Sequence, residues 1–190
     1  MMASPQFQPD TLCSITPILS MSPSFKISPS FKIRPFCQGD WPAIWQILEP
    51  VFRSGETYAL STTVTEEAAR KFWIEQSNMT FAVVDRGQIL ATYFMKPNYE
   101  GPGSHVCNCG YAVAESARGQ GLARAMCLHS QEMAREESYL AMQYNFVVST
   151  NLAAIHVWKQ CGFEIVGTLP RAFHHPTDGF VDVFVMFKQL

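Results

Sequence analysis

The chain has 190 residues, which at ~150 residues per domain leaves room for one domain and a short surplus. Hydrophobic residues make up 47% and charged residues 16%, enough apolar material for a substantial core and too little charge for broad disorder. The 14 basic and 16 acidic residues leave a net charge of −2, so no cationic excess draws the chain onto nucleic acid or an anionic membrane, and no apolar run of 18 residues offers a spanning helix.

Residues 1–30 hold seven serines and five prolines but only two charges, Asp10 and Lys26. Proline at positions 5, 9, 17, 23 and 29 prevents a continuous helix or ladder. The stretch lacks the basic start and unbroken apolar centre of a signal peptide, and the arginines of a mitochondrial leader. It contains a hexapeptide duplication, Ser-Pro-Ser-Phe-Lys-Ile at 22–27 and again at 28–33, too short for a repeat fold. The expectation is a disordered extension over 1–30 followed by one domain over 31–190, in the cytoplasm by default of any targeting signal.

From there the elements follow in order. Residues 31–36 alternate apolar and polar side chains as a half-buried strand. Asp40 is placed to cap a helix over 41–52 whose Ile44, Ile47, Leu48 and Val51 share a face. A polar stretch over 53–64 follows. Thr63 and Glu66 have the spacing of a capping box, opening a helix to about Gln76. A hairpin is predicted from 81–85 and 88–96 with its turn at Arg86-Gly87. A loop spans 97–104 and a strand 106–113. After a glycine-containing turn comes a helix of about fifteen residues, with Leu122, Ala125, Met126 and Met133 on its inner face. A strand at 143–149, a helix at 151–161 ended by Gly162, a strand at 163–169, a loop at 170–179 and a strand at 180–187 complete the chain. The order β α α β β β α β α β β is that of an α/β or α+β sheet with helices packed on its faces.

The six cysteines (Cys13, Cys37, Cys107, Cys109, Cys127, Cys161) form no C-x-x-C pair, and no Cys/His cluster has zinc spacing, so reduced thiols and no metal are expected. Cys107 and Cys109, two apart on a strand, share a face. The five histidines show no triad spacing: His129 reads as a satisfied core residue and His174-His175-Pro176 as a solvated loop.

The segment richest in chemistry is Arg118-Gly119-Gln120-Gly121-Leu122-Ala123, between a strand and a helix. Glycines let the backbone approach a ligand, unpaired first-turn amides favour a phosphate, and Arg118 adds a guanidinium fork. A nucleotide P-loop would end in Gly-Lys-Ser/Thr, whereas Leu122 and Ala123 follow Gly121. A dinucleotide fingerprint would need a third glycine where Arg124 stands, and a position near the start of the domain. An ordinary strand-to-helix turn and a pyrophosphate cradle for coenzyme A remain.

The spacing Val113-x-x-x-x-Arg118-Gly-x-Gly-x-Ala123 resembles the acyl-CoA loop of the GCN5-related N-acetyltransferase (GNAT) superfamily. The run Asn151-x-x-Ala154-x-x-Val157-Trp158-Lys159-x-x-Gly162-Phe163 resembles that superfamily's second motif. Within the superfamily, three stretches resemble the fungal azetidine-2-carboxylate (proline-analogue) acetyltransferases: Tyr93-x-x-Lys96-Pro-Asn-Tyr99, Ser104-His105-x-Cys107-Asn108-x-Gly110 and Asn145-x-Val147-x-x-Thr150-Asn151. The resemblance implies a GNAT-like mixed, mostly antiparallel sheet of about seven strands with helices on both faces.

It also implies roles. The Val113 backbone would pair with the pantetheine arm of acetyl-CoA, and the amides of Arg118, Gly119, Gln120, Gly121, Leu122 and Ala123 would hold the pyrophosphate. Asn151 would touch the cofactor or acyl group in addition to serving as an N-cap. Asn108 and Asn145, on neighbouring strands, would hold the acceptor's carboxylate. The alternative is a pair of asparagines satisfied by backbone. Trp158 stands near the cofactor where the wider superfamily often has a tyrosine that protonates the leaving thiolate, and an indole cannot replace that acid. Proton delivery then falls to water or to the thiol's own basicity, and water relayed past Asn108 or Asn145 is the leading base. Glu56-Thr57-Tyr58 would border the acceptor pocket. The function implied is acetyl transfer to a small amine, such as a proline analogue, without a metal. Alternatives are another amine acceptor, or a non-catalytic acyl-CoA sensor. The related enzymes are often homodimers.

Overall fold

A computed structural model describes residues 31–190, and the extension expected over 1–30 lies outside the described residues. Seven strands form one sheet in the order β1-β2-β3-β4-β5-β7-β6. They are β1 (Lys32–Pro35), β2 (Met79–Asp85), β3 (Gln88–Pro97), β4 (Val106–Val113), β5 (Ala141–Val148), β6 (Glu164–His175) and β7 (Gly179–Gln189). Every neighbouring pair is antiparallel except β4 and β5. The helices are α1 (Trp41–Ser54), α2 (Glu66–Arg70), α3 (Leu122–Glu136) and α4 (Leu152–Gln160), with α2 continuing as a π-turn over Lys71–Glu75.

Sequence periodicity explains the two faces. Ile44, Ile47, Leu48 and Phe52 lie on one stripe of α1 and are buried with Trp73, Phe94 and Ala112. On the opposite face, Leu122 and Met126 of α3 pack with Phe81, Val83 and Tyr93. Ile155 and Trp158 of α4 join Cys127, Tyr144 and Phe163 in a third cluster. Because side chains alternate across a strand, Phe94 faces α1 while Tyr93 faces α3. Polar groups inside these layers are paired: the Trp73 indole donates to Thr92 Oγ1 at 3.1 Å, and Tyr93 Oη hydrogen-bonds His129 Nδ1 at 2.7 Å. The five described cysteines are all free, with Cys107 and Cys109 both buried.

Three local expectations are corrected. The first concerns the loop at 170–179. Strand β6 instead continues to His175 through a bulge after Leu169, where Arg171 takes φ 52° and its N–H donates to Asp182 Oδ1 at 2.9 Å. Pro170 is tolerated because β6 is an edge strand with no second neighbour to serve. His175 is accordingly buried, not solvated, and its Nδ1 gathers Thr177 Oγ1 at 3.1 Å and the Asp178 N–H at 3.3 Å around the turn.

The second correction is the start of α2. Thr65, not Thr63, is the N-cap, with Oγ1 accepting from the Ala68 N–H at 3.2 Å. Thr63 is engaged with Ser61 Oγ at 2.8 Å, and the Glu66 carboxylate reaches across to accept from Trp41 Nε1 at 2.8 Å. Thirdly, Asp40 makes no side-chain cap to α1. Its carboxylate takes both nitrogens of the Arg34 fork, at 2.6 and 2.8 Å, and the Cys37 N–H at 2.8 Å.

Burial pushes the Asp40 carboxyl up, but the Arg34 fork and the Cys37 N–H outweigh it and hold its pKa below the ordinary 3.8. A group depressed on folding stabilises the fold above its unfolded pKa and loses that contribution as pH falls through the folded one. Arg34→Met is therefore expected to cost about 1 kcal/mol at pH 7 for this part-exposed pair. Urea melts across pH 7 to 2 should show the gap between variant and wild type closing below pH 3.8. An undiminished gap in acid would contradict this assignment.

Candidate functional site

The site begins where β4 and β5 part. The two strands pair only at Val106↔Ala141 and Cys107↔Met142, and no further pairs follow. Backbone parity decides what the gap exposes. Val106 O and Ala114 N both bond toward β3, so the even-numbered residues of β4 serve that ladder. The odd-numbered ones face β5, and at Tyr111 and Val113 that edge has no strand partner. Tyr58 reaches into the gap and donates its hydroxyl to Tyr111 O at 3.0 Å. Burial pushes the Tyr58 phenol well above its ordinary pKa, so it stays a neutral donor. A side chain at Gly110 would collide with the Phe94 ring and the Tyr58 hydroxyl, so glycine there lets both approach β4.

A cleft of about 900 Å³ follows this gap. At one end lies the turn into α3. Gly119 and Gly121 take φ of 76° and 79°, the left-handed region that glycine enters without strain, and a Cβ at either would meet open space. The first bond within the helix runs from Ala125 N–H to Gly121 O at 3.0 Å, which leaves the Leu122 and Ala123 amides outside the helical ladder at the cleft. These amides and the helix dipole fit the diphosphate of coenzyme A. Arg118, Gly119, Gly121, Leu122, Ala123, Val113, Asn151 and Trp158 all line the cleft. Gln120 does not: its side chain folds back to donate to Ser116 O at 3.3 Å.

Asn151 caps α4 through Oδ1, which accepts from the Ala154 N–H at 3.2 Å and leaves Nδ2 to offer a ligand. Trp158 packs against Tyr111 and Tyr144, ring centroids 4.8 and 5.1 Å away. Cys109 also lines the cleft, but burial pushes its thiol well up, so it is not poised as a nucleophile.

The other end carries the carboxamides. Asn108 Nδ2 donates to Gln143 O at 2.8 Å, bridging the strands just past their last pair. Gln143 Nε2 donates to Asn145 Oδ1 at 2.8 Å, and Asn145 Nδ2 to Asn98 Oδ1 at 2.6 Å. The donors assigned by resemblance to a carboxylate are thus engaged within the protein. Glu56, Thr57, Phe72 and Phe94 wall this end, and the Thr57 hydroxyl is buried without a partner. Phe72, Phe94, Tyr144 and Arg124 were not expected as lining residues. They read as core or helix positions, and only the parting of the strands brings them to a cavity.

The sequence matches the model of the Acetyltransferase (GNAT) family over residues 41–163. N-acetyltransferase aca1 of Schizosaccharomyces pombe is 25% identical over 148 residues, 69% of this chain and 71% of that protein. A GCN5-related N-acetyltransferase from Kribbella flavida is 40% identical, with a TM-score of 0.81 over 85% of this chain and 98% of its own. A GNAT superfamily phosphinothricin acetyltransferase from Sinorhizobium meliloti, solved in complex with AcCoA, is 16% identical and shares the fold at a TM-score of 0.75, covering 85% of this chain and 89% of its own. Among the described residues no helix is long and apolar enough to cross a membrane, and no group of three or more His, Cys, Asp or Glu is placed to hold a metal ion.

Proposed function

The chain belongs to the GNAT family of acetyltransferases, and we propose that it moves the acetyl group of acetyl-CoA onto the amine of a small amino-acid-like acceptor, a proline analogue such as azetidine-2-carboxylate. The observation that carries this reading is one continuous cleft, with orphan helix amides at one end and asparagine carboxamides at the other. In the bound state acetyl-CoA supplies the activated acetyl group. The amides of Leu122 and Ala123, with Arg118, hold the diphosphate, while Asn151 Nδ2 and the Trp158 ring flank the cofactor.

The unpaired edge of β4 at Tyr111 and Val113 offers N–H groups to the pantetheine arm and to charge developing on the thioester oxygen. No side chain in the cleft is an activated nucleophile, so transfer is direct, within a ternary complex. Holding both reactants in one geometry can supply up to ~7–11 kcal/mol of the barrier. Asn108 and Asn145 then position the acceptor, and a water relayed past them takes the amine's proton. The resemblance to frequently dimeric enzymes, with the exposed Ile165, Val166 and Leu169 of edge strand β6, supports a homodimer across that edge.

Turnover with acetyl-CoA and azetidine-2-carboxylate tests the reading. Thiol release with this acceptor is expected. Release only with other amines points to a different acceptor, and tight CoA binding with no release from any amine contradicts the enzyme reading altogether. Arg118→Ala is expected to weaken CoA binding about tenfold, as loss of a charge-assisted hydrogen bond does, in calorimetry; unchanged affinity would remove Arg118 from the cofactor site. Light scattering should give twice the chain mass, and a single-chain mass would exclude the dimer.

A further inference from the structure

Asn145 stands where β5 has no strand partner on either side among the described residues. Its pairing with β4 ends at Met142, and its register with β7 breaks between Tyr144 and Val147. A carboxamide on such a stretch can turn either way, and only its nitrogen end attracts a carboxylate. Two residues that do not line the cleft fix which way it turns. Gln143, two positions earlier on β5, donates Nε2 to Asn145 Oδ1 at 2.8 Å. Asn145 Nδ2 in turn donates to Asn98 Oδ1 at 2.6 Å. The Asn145 oxygen is thereby committed to Gln143, and one of its two N–H groups to Asn98. The second N–H is left for a ligand in the cleft that Asn145 lines.

Both holders are themselves anchored. Gln143 pairs with Phe187 of β7, and its main-chain carbonyl accepts from Asn108 Nδ2 at 2.8 Å. One residue therefore orients both asparagines, Asn145 by its side chain and Asn108 by its backbone. A carbonyl can only accept, so it draws the nitrogen end of Asn108 and again leaves one N–H over. Asn98 follows β3, and its N–H donates to Val106 O at 2.8 Å, one bond beyond the Pro97↔Cys107 pair. From there its side chain bridges to β5, two strands away in the sheet. Asn98 Nδ2 is buried with no partner. An amide buried with its donor end unpaired is costly to the fold, and an apolar side chain would cost less. What Asn98 supplies in return is its oxygen, which holds Asn145.

We propose that Gln143 and Asn98 are positioning residues for the acceptor, gripping Asn145 from both sides so that its free N–H meets the acceptor's carboxylate. This rests on the acceptor reading above. Recognition of the acid is then a relay of carboxamides in which Asn145 touches the substrate and its two holders do not.

The full chain tests this with azetidine-2-carboxylate as acceptor. Gln143→Met keeps the carbonyl that holds Asn108 and removes only the grip on Asn145, while Asn98→Ala removes the other grip. Each is expected to raise the acceptor KM about fivefold, as partial loss of a hydrogen bond to a charged group does, with kcat at saturating acceptor within about twofold of wild type. On an Asn145→Ala background neither substitution should raise KM further, because the group through which both act is gone. Acetyl-CoA affinity, read by calorimetry, reports that each variant is folded. An unchanged KM in either folded single variant would overturn the proposal. A fall in kcat in place of the rise in KM, or a further rise in KM on the Asn145→Ala background, would overturn it equally. Absence of turnover with azetidine-2-carboxylate in the wild type would overturn the acceptor reading instead, and this proposal with it.

Discussion

Two parallel strands that pair for two residues and then separate govern what this fold can do. Had β5 followed β4 through Val113, the odd-numbered amides would be spent on a ladder, and the sheet would be closed there. Instead several features accommodate the parting of the strands. Asn108 spans the fork through Gln143 O, the β5–β7 register breaks between Tyr144 and Val147, and Tyr58 occupies Tyr111 O where a strand partner would otherwise bond. Gly110 is what admits Tyr58 and Phe94 so close to β4. Asn108 and Tyr58 satisfy two carbonyls, Gln143 O and Tyr111 O, that the separation would leave unpaired, which lets the gap persist inside the sheet.

The chemistry follows from what borders that gap. Backbone donors lie at the α3 end of the cleft, where in the proposed reading a diphosphate would be recognised by geometry and dipole and need few side chains. Carboxamides border the other end, where the proposed acceptor would have to be told from similar small molecules. An enzyme of this kind gains most of its rate by placing two reactants together, so its side chains are positioning and polarising groups more than acids or bases. The aromatic packing of Trp158 with Tyr111 and Tyr144 fits that division, since it sets the shape of the floor without supplying a proton donor at position 158.

Local signals in the chain disclosed the glycine turn before α3 and the cap of α4 well. Gly119 and Gly121 adopt the positive φ that a Gly-x-Gly turn before a helix requires, and Asn151 makes the cap its residue type favours. The two buried faces also followed from periodicity, as Leu122 and Met126 on α3 illustrate. The carboxamide end of the cleft was less legible, because its composition depends on tertiary geometry. Phe72 and Phe94 carry the same pattern whether they fill a core or wall a cavity. Proline and histidine misled at 170–176: an edge strand accepts Pro170 at a bulge, and His175 finds its partners in the turn that follows.

The central claim is that acetyl-CoA lies in the gap between β4 and β5, held by amides left unpaired there. Amide hydrogen exchange, resolved by residue and compared with and without acetyl-CoA, tests it most directly. The account predicts that Tyr111, Val113, Leu122 and Ala123 gain strong protection on binding while the amides of β6 and β7 remote from the cleft change little. Protection that spares those four amides while acetyl-CoA is bound would contradict it.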